Sequence, residues 1–113
     1  MKTDCTFCKI VNGEIQVDHI YEDDKFIGIL DNQPKMKGHA LLISKDHYKS
    51  ILDIPNTLGN ELLEAIKKLT LQTVDNEKCD GFNLHLNGID NMVDHFHMHI
   101  LPRNKDDSFS PCT

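Results

Sequence analysis

Apolar residues recur along this chain with two different periods, and the changes between them mark out its elements. Cys5-Thr-Phe-Cys-Lys-Ile-Val11, before Asn12-Gly13, reads as one or two turns of helix with a glycine stop. Cys5 and Cys8 then lie one turn apart. His19 to Glu22 and Lys25 to Asp31 read as strands around the acidic turn Asp23-Asp24. In the second, Ile27, Ile29 and Asp31 share one face and Phe26 and Leu30 the other, so a carboxylate closes an apolar row. The segment 32–38 is loop by its Pro, Gly and polar content. His39 to Ser44 is a third strand, with His39, Leu41 and Ile43 on one face and His47-Tyr48 following.

Pro55 precedes the one long segment of helical period, from Asn56 to Glu77. Leu58, Leu62, Ile66 and Leu69 form its stripe, with Leu63 and Val74 beside it. Asp80-Gly81 ends it. Alternation returns at Phe82 to Asn87, with Leu84 and Leu86 on one side and Asn83, His85 and Asn87 on the other. In His95 to Leu101, Phe96, Met98 and Ile100 alternate with histidines. Antiparallel pairing of these last two strands gathers Leu84 and Leu86 with Phe96, Met98 and Ile100 under the long helix. The polar stretch 104–113 has no period and is expected to be a loosely held arm of a single domain spanning 1–113.

Composition narrows the possible partners. A formal charge of −6 over 113 residues leaves no basic face for a nucleic-acid backbone, although a single nucleotide remains possible. No apolar run is long enough to span a membrane, and no apolar leader follows Met1, so a cytoplasmic protein without membrane contact is expected. In that compartment the four cysteines are thiols or metal ligands rather than disulfides. Cys5-x-x-Cys8 alone is open to three readings: a redox pair, half a metal site, or chance.

The distinctive chemistry lies in Asp94-His-Phe-His-Met-His-Ile-Leu-Pro-Arg103, where three of the seven histidines stand at a spacing of two. On a strand His95, His97 and His99 share one face, neighbours roughly 7 Å apart, so one metal could hold two of them but not all three. A solvated polar face, a metal site on a neighbouring pair such as His97 and His99, and nucleophilic or acid/base chemistry all fit that pattern.

His-x-His-x-His followed by Leu-Pro-Arg resembles the signature of the histidine triad (HIT) family, most closely its Hint-like bacterial branch. The resemblance extends to Cys5-Thr-Phe-Cys-Lys-Ile-Val-Asn-Gly-Glu14, Leu30-Asp31, Gly38-His-Ala-Leu-Leu-Ile-Ser-Lys45 and Gly81-Phe-Asn83. It implies an α+β fold: a five-stranded antiparallel sheet with one long helix, a short N-terminal helix and a homodimer. The strands and helices read above agree. It implies a hydrolase or nucleotidyl transferase acting at the α-phosphate of purine nucleoside phosphoramidates or dinucleoside polyphosphates. By the resemblance, His97 is the nucleophile, His99 bonds a non-bridging phosphate oxygen, and His39 is a further active-site histidine. Asp31 takes the ribose hydroxyls. Phe7, Ile10, Asn32 and Leu41 line the base and ribose pocket, with Asn87 and Asn91 also in the nucleotide-binding set. The apolar members of that set are equally well read as ordinary core. Family members with an opening Cys-x-x-Cys bind structural zinc, and the matching ligands here are Cys5, Cys8, His47 and His95. Cys79 and Cys112 are read as plain thiols.

The stretch before the triad departs from the family's Asn-x-Gly-x-x-x-Gly-Gln-x-Val-x-His. Here it is shorter, with Asp90 in place of Gly and Asn91 in place of Gln. A carboxylate beside the phosphate repels an anionic substrate, so the competing expectation is a nucleotide-binding protein with little turnover.

Overall fold

The computed structural model describes residues 5–86 and 94–107. Its elements are helix α1 (Thr6–Val11), strands β1 (Tyr21–Glu22), β2 (Phe26–Leu30) and β3 (Ala40–Ser44), helix α2 (Gly59–Glu77), and strands β4 (Gly81–His85) and β5 (His97–Arg103). The strands form one antiparallel sheet in the order β1-β2-β3-β5-β4. α2 carries the chain from β3 across to β4, which lets β5 insert between them.

Alternation in the strands sends side chains to two cores. Ile27, Ile29, Leu41 and Ile43 pack with Cys5, Phe7, Cys8 and Ile10 from α1. Phe26, Ala40, Leu42, Phe96, Met98 and Ile100 pack with Ala65 and Leu69 from α2. The long helix sits so close to β2 that a Cβ at Gly28 would lie 2.8 Å from Leu69 Cδ2 and 3.0 Å from Tyr21 Cβ. Only a residue without a side chain admits that approach.

Several boundaries differ from the sequence reading, each for a visible reason. His95 does not open the last strand: Phe96 N–H bonds Tyr48 O at 2.6 Å, outside the ladder, and regular pairing begins at His97. Asn56–Leu58 is a 3-10 turn ahead of α2 rather than its first turn. α2 ends at Glu77, as read, but its cap is Lys78, whose left-handed backbone (φ 54°) lets Cys79 N–H reach Val74 O at 3.1 Å. That cap comes before Asp80-Gly81 and uses no glycine.

The stripe of α2 faces the core as read, with Leu69 buried and Leu62 and Ile66 packed against the same cluster, but its flank differs. Ala65, Leu69, Thr70 and Thr73 are buried, while Leu63 is 51% exposed and Leu71 64% exposed. Leu84 and Leu86 do not join the core under the helix, and Phe82 is 50% exposed, because β4 is the outer strand and α2 packs mainly against the inner ones. The arm beyond Arg103 begins tied down: Arg103 pairs with Asp107, and Lys105 N–H donates to Asp80 Oδ2 at 2.9 Å.

Candidate functional site

Two groups of side chains flank the point where β3 meets β5. In the first, Cys5 caps the N-terminus of α1 by accepting Cys8 N–H on its sulfur, and one helical turn brings the Cys8 thiol alongside. His47, just past β3, and His95, just before β5, close the group. Cys5 Sγ lies 3.2 Å from His95 Nδ1, Cys8 Sγ 3.2 Å from His47 Nδ1 and 3.5 Å from His95 Nδ1, and the two Nδ1 atoms are 3.2 Å apart. A tetrahedron of sulfur and nitrogen ligands around zinc has edges of about 3.3–3.6 Å between such atoms. His95 Nε2–H donates to Ser44 O at 2.7 Å, which leaves the Nδ1 lone pair directed into the group. Burial holds the His95 pKa below its ordinary value, despite the help of Ser44 O to the charged form, so the ring stays an electron-pair donor. The residues present therefore fit a tetrahedral zinc ion.

The second group is His39, His97, His99 and Asp31. β3–β5 pairing sets Ile43 opposite His97 and Leu41 opposite His99. His97 Nδ1–H donates to His95 O at 2.7 Å, so its Nε2 carries the lone pair. Lys35 N–H donates to His39 Nδ1 at 3.1 Å, which puts the His39 proton on Nε2. That N–H points at His99 Nδ1, 2.9 Å away, so neutral His99 bears its own proton on Nε2. Burial, with His39 and His97 close by, pushes the His99 pKa down to about 4. His39 is likewise held low, chiefly by burial. With the His97 and His99 rings 5.3 Å apart, the site offers a nucleophilic nitrogen next to a hydrogen-bond donor.

Asp31 Oδ2 stands 3.5 Å from His39 Nε2 and 3.9 Å from His99 Nδ1, while Oδ1 accepts Gln33 N–H at 2.9 Å. By residue type Asp31, His39 and His99 could also hold a cation. The proton that Lys35 N–H forces onto His39 Nε2 argues against it, since a ligand nitrogen needs its lone pair free. The same proton logic counts against His97 and His99 as a metal pair, because His99 Nε2 is a donor.

Most residues singled out in the sequence converge here. Phe7 lies edge-on to both His97 and His95, with ring centroids 5.0 and 5.8 Å apart. Phe7, Ile10 and Leu41 are buried members of the α1-side core, and Asn32 is exposed beside Asp31. Asn87, Asp90, Asn91 and Cys112 lie outside the described residues, and Cys79 stands apart from both groups as a thiol. Sequence reasoning missed the main-chain groups that set the proton positions: Lys35 N–H, Ser44 O and His95 O. It placed His85 on the polar face of its strand but gave it no role. Register puts His85 opposite His99.

Residues 12–106 match the model of the HIT domain. The chain belongs to the HIT family. It is 36% identical over 106 residues to an adenosine 5′-monophosphoramidase of Candida albicans, covering 88% of this chain and 70% of that protein. A crystal structure of a Streptococcus mutans protein superposes with a TM-score of 0.90 at 34% identity, covering 97% of this chain and 72% of that one. A zinc-bound HIT family protein of Mycobacterium smegmatis superposes with a TM-score of 0.86 at 32% identity, covering 96% and 81%.

Proposed function

We propose that this HIT protein is a purine nucleotide hydrolase or nucleotidyl transferase. It acts at the α-phosphate of nucleoside phosphoramidates or dinucleoside polyphosphates through a covalent nucleotidyl-His97. The observation that carries the reading is the His97 Nδ1–H bond to His95 O, which fixes the neutral tautomer whose Nε2 can attack phosphorus. In the first step the Nε2 lone pair forms a bond to the α-phosphorus, and the bond from phosphorus to the leaving group breaks with its electrons. The leaving group departs as a polyphosphate anion or, having taken a proton from water, as an amine. His99 Nε2–H bonds a non-bridging oxygen, whose charge grows as the bond forms. In the second step water adds to phosphorus and releases its proton to solvent. The P–N electron pair returns to Nε2, freeing the nucleoside monophosphate. The adduct is reactive because His97, still bonded through Nδ1–H, carries a positive charge within it.

On this reading Asp31 binds the ribose hydroxyls, with Asn32 beside it and the base against Phe7, Ile10 and Leu41. The Asp31 carboxylate, mostly buried next to both histidines, supports this. Zinc held by Cys5, Cys8, His47 and His95 ties α1 to the ends of β3 and β5, as the tetrahedral fit and the zinc-bound relative support. It supplies cross-linking and no reaction step. A reducing compartment such as the cytoplasm keeps those thiols available. The protein forms a homodimer through β4 and the outer side of α2, where Phe82, Leu84, Leu63 and Leu71 leave apolar surface open beside the outer strand.

The test is a screen of adenosine and guanosine phosphoramidates and dinucleoside polyphosphates, with mass spectrometry of quenched protein for a nucleotidyl adduct. His97→Ala is expected to lose the adduct and at least about a thousandfold in turnover while keeping nucleotide affinity within about tenfold. Turnover surviving in His97→Ala overturns the mechanism.

A further inference from the structure

His85 faces the reaction site but has no part in the machinery just described. Alternation along β4 puts Asn83 and His85 on the histidine face, and the β4–β5 register sets His85 directly opposite His99. Cβ atoms of such a pair lie about 4.5–5.5 Å apart. The field of His85 reaches across β5 to His39, where it is one of the influences holding that pKa low. A solvated residue on an outer strand would explain its polarity alone. Asn83, its neighbour on the same face, has such a structural explanation, because its Oδ1 accepts from Arg103. His85 has none: its ring is half-buried and makes no hydrogen bond among the described residues, whereas His39, His95, His97 and His99 are all bonded.

Its side of the site is informative. Asp31, Phe7, Ile10 and Leu41, proposed to hold the nucleoside, lie on the β2, β3 and α1 side of His97 and His99. His85 lies on the opposite flank, on β4. A substrate whose nucleoside is held on the first flank and whose α-phosphate meets His97 has its remaining part free to extend over β4. There an imidazole N–H is available, and it suits a phosphate oxygen far better than a neutral amine.

We propose that His85 binds the leaving group, donating a hydrogen bond to the phosphate next to the scissile bond, and so favours nucleotides with an anionic leaving group over phosphoramidates of neutral amines. The residue makes and breaks no bond; proton and electron flow are those given above. The inference rests on the nucleotide reading of the site.

The test titrates the full-length protein calorimetrically with AMP and with ADP, whose terminal phosphate stands where the leaving group's first phosphate would be. Wild type is expected to bind ADP about tenfold more tightly than AMP, and His85→Leu to erase that ratio. His85→Asn, which keeps a donor at this partly exposed position, is expected to retain part of it. The ratio of kcat/KM for a dinucleoside polyphosphate to that for an adenosine phosphoramidate is expected to fall by about tenfold in His85→Leu. An unchanged ADP-to-AMP ratio in both variants overturns the role of His85 while leaving the nucleotide site standing. Wild type that binds neither nucleotide overturns the nucleotide reading itself, and this inference with it.

Discussion

Lowering the pH should destabilise the fold through His99, and the size of the effect can be worked from its surroundings. In the unfolded chain its ring takes up a proton near the ordinary value of 6.5, whereas in the fold burial and the neighbouring His39 and His97 delay protonation to about 4. Between those values the unfolded state binds more protons than the folded one, so stability falls as pH falls. The contribution is fully present above about pH 6.5 and fully lost below about pH 4. At about 1.4 kcal/mol per pH unit it amounts to something on the order of 3 kcal/mol. His39 and His95, also held low by burial, act in the same direction, so the raw pH dependence of the protein is not specific to His99. The comparison that isolates it is wild type against His99→Asn, unfolded in urea and followed by far-ultraviolet circular dichroism at steps from pH about 7 to about 4. Wild type is expected to lose roughly 3 kcal/mol more than the variant across that window. Losses equal to within about 0.5 kcal/mol would show that His99 is protonated alike in both states, and the reasoning fails.

Cys8→Ser is expected to bind less than one zinc per chain and to melt about 10 °C or more below wild type, since a metal held by the proposed quartet would join α1 to β3 and β5. Wild type without metal by elemental analysis, melting as the variant does, would refute it. Phe82→Glu places a charge in the open apolar surface of β4 and is expected to halve the mass measured by light scattering at micromolar protein. A monomeric wild type would end the dimer proposal.

Where alternation met a buried face, the sequence was a sound guide. Ile27, Ile29, Leu41 and Ile43 went to one core and Phe26, Leu42, Met98 and Ile100 to the other, because a strand has only two sides. In α2 helical spacing found Leu62, Ile66 and Leu69 but not the whole buried face: Leu63, read beside the stripe, is exposed, while Thr70 and Thr73 are buried. Thr73 can be buried because its hydroxyl bonds Leu69 O at 2.8 Å, a satisfaction no hydropathy pattern records. The ligand quartet was named only through family resemblance, since nothing in local sequence links Cys5 to His47 or His95. The direction of each imidazole proton was not readable at all. It depends on a loop that aims Lys35 N–H and a strand entry that aims His95 O, and both are matters of backbone path.

That backbone origin bears on how the site can drift. Lys35 N–H and His95 O belong to the main chain, so nearly any side chain at those two positions supplies the same partner to His39 and His97. Position 95 thus serves two masters with separable parts, its carbonyl for the His97 tautomer and its ring for the sulfur-rich group across the strand. A descendant that lost Cys5 and Cys8 could exchange the His95 ring for another side chain and still present the same lone pair on His97. Proline at 35 is the substitution such drift could not tolerate, for it alone removes the N–H. Sequence change in this protein is therefore filtered less by what the residues at 35 and 95 are than by the course the chain takes through them.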